Sequence, residues 1–425
     1  RGVSLLKKDG LFSYIVANKW MRANYGEPLR RWMKKQRIEE ITDFGDLPVF
    51  ETATTYPCII RIKKGVIPAK AGIQSFTAAQ VKTLAFNNLI NYVKENSFTV
   101  NKASLGDKGW SLVDKQSQTL LNKLRKAGMP LGEYVKGNIF YGIKTGLNEA
   151  FVIDEETKNR LIKEDSKSKE LIKPFLVGKD IKRYEPPEKG RYLILIPKGW
   201  TREQISHSRE GGNPGKSGFR VKHGMTEKGS WDWFSETYPA IAAHLESHAE
   251  KARKRYDKGE YWWELRTCEY YAEFEKPKII VPAIVQSASY AYDKNAFYSN
   301  DKTTIISTDN LYLLGILNSR ISDFVMHSIS STKQGGYFEY KPMYLEQLPI
   351  RTIDFNDPSE KTTHDKLVSL VDRMLDLHKK KTALPLSAER EKIEREIAVT
   401  DEKIDEIVYG LYGITEEERK IIEGE

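Results

Sequence analysis

The sequence predicts an α/β protein built in three styles: an incomplete α/β sheet, a mixed α+β domain, and a C-terminal helical hairpin. Three observations carry this. Residues 1–64 read strand, helix, strand, strand, which is half of an α/β sheet whose strands are expected to need partners this chain does not contain. Residues 131–353 are short strand-like runs punctuated by turn glycines. From Pro358 the pattern becomes two long amphipathic helices with Pro385 between them.

The elements follow in chain order. From Leu11 the run LFSYIVANKW is apolar and predicts a buried strand. Asn24 opens a helical pattern, NYGEPLRRWMKKQ, and two further strands are predicted in IEEITDFGD and CIIRIKK. A free-standing domain would rarely open on a central strand, because its edge and one face would lie bare, so the chain is expected to be a fragment. The stretches GVIPAKAGIQSFTA (65–78) and SHSREGGNPGKSG (206–218) predict surface loops; IPAKAGI and HSREGGNP resemble translated intergenic repeats. Residues 78–96 carry apolar positions at helical spacing, and a second helix is predicted over 110–128, ending at Gly128. The expected divisions are therefore 1–64, a helical connector at 65–130, a mixed domain at 131–353, and the hairpin at 354–425. In the hairpin one stripe is Leu367, Leu370, Val371, Met374 and Leu375, and the other is Ile393, Ile397, Ile404, Ile407, Val408 and Leu411. These stripes suit packing of each helix on the other, with a zipper-like dimer as the alternative.

With 425 residues and 40% hydrophobic content the chain has room for two to four globular domains. No apolar run approaches the ~18 residues needed to span a bilayer. Two cysteines, Cys58 and Cys268, argue against a disulfide scaffold and fit a reducing cytoplasm. His244 and His248 lie four apart on one helix, but without a third ligand they read as solvated residues, so no metal site is expected. No acidic-acidic-Lys nuclease site is evident either. The net charge of +9 is uneven: from Asp354 onward 12 Lys/Arg face 19 Asp/Glu, a balance of −7, which leaves 56 against 40, or +16, on residues 1–353. A basic body with an acidic tail suggests that the body meets a polyanion.

Several segments carry a resemblance. FSYIVANKW, then a helix, then ITDFGDLPVFETATTYPCII resembles the last third of the catalytic domain of TaqI-type adenine-N6 DNA methyltransferases, above all in their type IIG restriction–modification and phage-defence relatives. GNIFYGIKTGLNEAFVID with LIKPFLVGKDIKRY resembles the opening of the target-recognition domain of such enzymes. LLGILNSRISDFV with GGYFEYKPMYLEQLPI resembles that domain's end, and IDEIVYGLYGITEEER the usual C-terminal helix. The resemblance implies a partial Rossmann-like methyltransferase sheet followed by a domain that recognises double-stranded DNA. It implies S-adenosylmethionine as cofactor of the full-length protein, adenine N6 as the methylated atom, and an upstream catalytic segment or subunit as partner. The family's Gly-rich cofactor turn and Asn-Pro-Pro-Tyr loop lie before this point and do not occur here, so no cofactor binding is expected of this chain alone. A non-catalytic specificity subunit serving a separate enzyme is the alternative.

Candidate DNA-contacting residues follow from chemistry. Lys144, Thr145 and Asn148 lie in a Gly-punctuated turn, where backbone amides can approach a phosphate. Lys179, Lys182 and Arg183 form a basic cluster. Arg253 and Arg255 interleave with Tyr256, Tyr261, Trp262 and Trp263, which suits backbone and base contact or, equally, a core. Lys333 and Gln334 precede Gly335 in a polar loop, and such side chains read guanine and adenine edges, although a plain hairpin connection would use the same residues. By resemblance, Phe50 matches the aromatic that packs on the flipped adenine; a core Phe at a strand end is the competing account.

Overall fold

A computed structural model of the chain describes residues 1–52, 55–65, 75–107, 109–188, 190–210 and 226–424. Of the two expected surface loops, 66–74 and 211–218 lie outside these described residues, while 75–78 are strand and 206–210 end a helix, so there the loop expectation is corrected.

The first 112 residues build around one five-stranded sheet. Its strands are β1 (Leu11–Ala17), β2 (Arg37–Asp43), β3 (Pro57–Lys63), β4 (Ser75–Gln80) and β5 (Ser97–Asn101), in the spatial order β1-β3-β2-β4-β5. Only β2 and β4 run parallel; every other neighbouring pair is antiparallel. Helix α1 (Glu27–Lys34), with Pro28 in its first turn where the missing N–H costs nothing, packs Met33 into the sheet core beside Ile38, Ile41, Cys58 and Ile60. Trp20 and Trp110 meet edge to face at 5.2 Å and close that core. Arg30 reaches from α1 to the carbonyls of Trp20 (2.6 Å), Ala23 (2.8 Å) and Asp107 (2.9 Å), tying helix to loops.

Three expectations are corrected here, the first being that the strands of residues 1–64 need partners this chain does not contain: β3 pairs with both β1 and β2, and β2 pairs with β4. β1 is an edge strand, not a buried one: Leu11, Tyr14 and Ile15 are 56%, 59% and 44% exposed. An apolar run shows that a strand can be covered; whether it is depends on which chain lies beside it. The connector is also not simply helical. Ser75–Gln80 and Ser97–Asn101 are strands, leaving only α2 (Leu89–Asn96) as helix within 78–96. The open side of β2 takes β4 as a parallel partner, and that long-range pairing overrides the local helical spacing. The predicted helix α3 (Lys115–Ala127) does form, capped by the Asp114 carboxylate on the Ser117 amide. Gly128 follows it because a Cβ there would sit 2.7 Å from the Pro349 carbonyl carbon.

Beyond α3 the described residues form three sheets of three or four strands and one two-stranded sheet that pairs Met129–Pro130 with Pro349–Ile350. One orders the strands Tyr298–Ser299, Ile172–Leu176, Arg191–Ile194 and Val152–Asp154; another orders Ala291–Asp293, Lys278–Pro282, Thr303–Ser307 and Ile139–Tyr141. The third joins Ile284–Val285 to the hairpin Tyr337–Glu339 and Thr332–Lys333. The stretch TDNLYLLGILNSRISDFVMHSIS forms two helices, Leu311–Leu317 and Arg320–Ile329. They part at Asn318, whose side-chain amide donates to the Tyr290 carbonyl and accepts from the Tyr290 amide, both at 3.0 Å.

The C-terminal hairpin is present as Pro358–Ala383 and Ala388–Tyr412, followed by a short helix, Glu416–Glu423. Leu367, Val371 and Met374 are buried with Ile404 and Val408, so the stripes are used within the chain. The hairpin also lies on helix Leu311–Leu317, where a Cβ on Gly315 would come within 2.9 Å of Val371.

Candidate nucleic-acid interface

The polar loop at 331–336 is a tight hairpin turn. Thr332 and Lys333 pair with Phe338 and Tyr337, and Gly335 and Gly336 turn the chain at φ +83° and +74°, a conformation that strains residues with a Cβ. Lys333 forms an ion pair with Glu339 at 2.7 Å, which also holds Lys341 at 2.8 Å. The Lys333 charge therefore runs along the hairpin, while the Gln334 side chain stands exposed at the tip.

Beside the hairpin opens a groove of about 640 Å³. Its walls are the Gly178–Lys179 turn, the Asn300–Lys302 turn, the Gln286–Ser287 segment and Tyr337, over an apolar floor that includes Pro282 and Val285. The first two walls touch closely: a Cβ on Gly178 would lie 2.9 Å from the Lys302 carbonyl oxygen. Lys179 is exposed, and the Lys302 side chain is 70% exposed, with its ammonium 3.9 Å from Asp301. Two lysines, amide and hydroxyl groups and an exposed tyrosine over an apolar floor suit a ligand carrying both phosphates and ring edges.

The other sequence candidates divide by what already holds them. Lys144 flanks the groove through Ile143, which bridges to Asn300; its ammonium is 2.7 Å from Asp257 and half exposed. Hydrogen bonding from Lys144, opposed by slight burial, holds the Asp257 carboxyl below its ordinary range. Lys182 is exposed, 3.3 Å from Glu185. Arg253 lies over the Trp262 ring at 4.9 Å and pairs with Glu227, with half its side chain exposed.

Three candidates are corrected as structural. Thr145 is buried; its hydroxyl donates to Asn148 Oδ1 at 2.5 Å and accepts from the Leu147 amide, so it is spent on its own turn, whereas Asn148 stands exposed. The close approach allowed by Gly146 is to the Asp257 carbonyl, 2.9 Å from a would-be Cβ, and not to a phosphate. Arg183 forks onto both carboxylate oxygens of Asp401 at 2.6 Å and donates to the Asn318 carbonyl, making it a strut between the mixed domain and the C-terminal hairpin. Arg255 is buried and donates to the carbonyls of Thr145 and Trp262 at 2.6 Å and Glu264 at 2.9 Å, and burial lowers its pKa to about 10. The aromatics beside it resolve the same way: Trp262 and Trp263 are core, whereas Tyr256 is fully exposed.

Phe50 is 42% exposed in the loop after β2, which removes the core account. This loop meets the 331–336 hairpin directly: the Gln334 amide donates to Tyr56 Oη at 2.9 Å and the Gly336 amide to Asp46 Oδ2 at 3.0 Å. Sequence reading missed Gln286, Ser287, Asn300, Lys302 and Tyr337. They come from three separate segments, and only the Gly-Gly-Tyr turn beside Tyr337 offered a local signal.

Comparisons with known proteins agree with the motif reading. Residues 173–350 match the family described as "TaqI-like C-terminal specificity domain", and residues 1–50 match "Eco57I restriction-modification methylase". The chain is 23% identical over 452 residues to the type II restriction enzyme and methyltransferase RM.Eco57I of Escherichia coli, covering 97% of this chain and 42% of that protein. It is 23% identical to the type II methyltransferase M.PaeR7I of Pseudomonas aeruginosa, covering 84% of this chain and 58% of the relative. A similar 23% identity links it to M.XhoI of Xanthomonas vasicola, at 99% and 68% coverage. The chain spans about half the length of the first two relatives. Among solved structures it shares a fold with the Type IIL restriction-modification enzyme MmeI, solved in complex with DNA: TM-score 0.52, 12% identity, 95% of this chain and 47% of that one. The expected resemblance to the C-terminal region of type II restriction–modification methyltransferases is thereby borne out, as is a mixed α/β fold ending in helices.

Proposed function

We propose that this chain supplies DNA sequence recognition to an adenine-N6 DNA methyltransferase of a restriction–modification or phage-defence system, of type IIG organisation. The observation that carries this reading is one of placement. The stretch matching the specificity domain contains the lysine-walled groove and the hairpin, and the hairpin tip is bonded to the loop that presents Phe50. A duplex passing over the groove would meet Lys179 and Lys302 with its phosphates and Gln334, Gln286 or Tyr337 with its base edges. A base turned out of the stack would meet the exposed Phe50 ring, which offsets lost stacking.

The full-length reaction would take a methyl group from S-adenosylmethionine. The outer edge of β1, with Leu11, Tyr14 and Ile15 bare, is the surface on which a catalytic segment carrying the cofactor turn would pair. A separate catalytic polypeptide would use the same edge, which keeps the specificity-subunit reading as the alternative. The domain boundaries we propose put residues 1–112 around the first sheet, because β4 and β5 belong to it, and keep 131–353 and 354–425 from the sequence reading. No helix among the described residues is long and apolar enough to cross a membrane. Cys58 and Cys268 are both free thiols, which supports a reducing, cytoplasmic setting.

The test is an exchange. Replacing residues 131–350 with the matching segment of a relative should change the methylated site of the full-length enzyme. An unchanged site, or a changed site after exchanging residues 1–64 alone, would sink the reading.

A further inference from the structure

The 331–336 hairpin is held at its tip from two sides. On one, Tyr56 Oη and Asp46 Oδ2 accept from the Gln334 and Gly336 amides; on the other, Gln286 Nε2 donates to the Gly335 carbonyl at 2.9 Å. A continuous set of bonds therefore runs from the groove wall, through a glycine turn, to the loop of Phe50.

We infer that Tyr56 and Asp46 are positioning residues that fix the register between the base read at the hairpin and the base held against Phe50. The inference rests on the functional reading above. Both bonds go to backbone amides, so they hold the tip while leaving the Gln334 side chain exposed. Tyr56 is itself anchored: it is buried, its carbonyl accepts from the Asn18 amide at 2.6 Å, and the Lys19 ammonium lies 5.4 Å from its ring centre. Asp46 sits four residues before Phe50 in the same loop. Successive bases along a strand are spaced about 3.4 Å apart, so a tip that slides by one hydrogen-bond length would present its reader to the wrong pair.

Hydrogen exchange on this chain reads the latch without any methylation. Tyr56→Phe should speed exchange of the Gln334 amide, and Asp46→Ala that of Gly336, each by about five- to tenfold, the loss expected for one hydrogen bond. Asp46→Asn keeps an acceptor and should exchange like wild type. In the full-length protein the double variant Tyr56→Phe/Asp46→Ala should hold KM for duplex within about twofold, drop kcat about tenfold and methylate secondary sites, because register and not affinity is lost. Restoring position 46 as Asn should recover most of kcat.

Unchanged amide protection overturns the inference, as does a double variant with wild-type kcat and site profile. A rise in KM alone would make these residues DNA ligands and overturn it as well. A wild-type full-length protein that methylates no defined site would instead remove the functional reading, and this inference with it.

Discussion

Arg183, Arg255 and Lys179 carry the same formal charge and have three different fates. Arg255 spends its guanidinium on four backbone carbonyls, Arg183 on Asp401 across to the C-terminal hairpin, and Lys179 stands exposed at a groove wall. Replacing Arg255 with Met should leave those carbonyls without its donors and cost on the order of 3 kcal/mol, read as a shift in urea denaturation. Lys179→Ala and Lys302→Ala should leave the denaturation midpoint in place and weaken duplex binding, each lowering the slope of log affinity against log salt by about 0.9. A Lys179 variant that melts early but binds normally would reverse these assignments. At the tip, Gln334→Ala should relax choice at one base position and Lys144→Ala should weaken all duplexes alike, with methylation mapping as the readout. The sequence marks all of these as polar or charged. It does not say which partner each one finds, because partners such as Asp401 for Arg183 and Thr145 for Arg255 lie 218 and 110 positions away.

At the scale of elements, the C-terminal hairpin docks through a junction that buries two titratable groups, His378 and Asp405. His378, on helix Pro358–Ala383, is buried against Tyr184, with Glu185 3.9 Å away and Lys381, Arg183 and Asp401 nearby. Burial, helped by Lys381, pushes its pKa down to about 4. Its unfolded value is about 6.5, so the fold holds the neutral ring; that stability is complete above pH ~6.5 and is lost as pH falls toward 4. Asp405, on helix Ala388–Tyr412, has the opposite sign. Burial raises its pKa to about 6 despite Arg320 at 3.3 Å, so its contribution is complete below pH ~4 and is lost as pH rises through 6. Melting from pH 4 to 7.5 should therefore separate the two: His378→Phe flattens the acid loss, and Asp405→Asn removes the loss between pH 4 and 6. Identical profiles for both variants and wild type would show that neither group titrates with folding. These helices are legible in sequence because their apolar spacing repeats over seven turns. β4 and β5 are not, since a strand of five or six residues is decided by the edge it finds.

For the whole molecule, charge is distributed by domain: +16 over residues 1–353 against −7 from Asp354 onward, by the count of Lys/Arg minus Asp/Glu. Duplex affinity should fall steeply as salt rises, since neutralising several phosphates releases their counterions. Binding that ignores salt, or is absent at low salt, would contradict the proposed interface. Purified alone, the chain should transfer no labelled methyl groups to DNA, because its sequence contains neither the Gly-rich cofactor turn nor Asn-Pro-Pro-Tyr. Measurable transfer would mean that these 425 residues hold a cofactor site of their own, and would overturn the need for a separate catalytic segment.

What the sequence by itself determines is whatever local order encodes. Periodicity marks the long helices, Gly-punctuated strands mark the mixed domain, and short ordered motifs tie the chain to type II restriction–modification methyltransferases. Only the tertiary structure decides that β1 is an edge, that Arg183 and Arg255 are struts, and that Gln286, Lys302 and Tyr337 share one groove with Lys179. It alone brings the hairpin tip onto Asp46 and Tyr56, 290 and 278 positions away. The reason is physical: burial and hydrogen-bond partnership are properties of neighbours in space, and a chain's local pattern names what each residue can do but not what it meets.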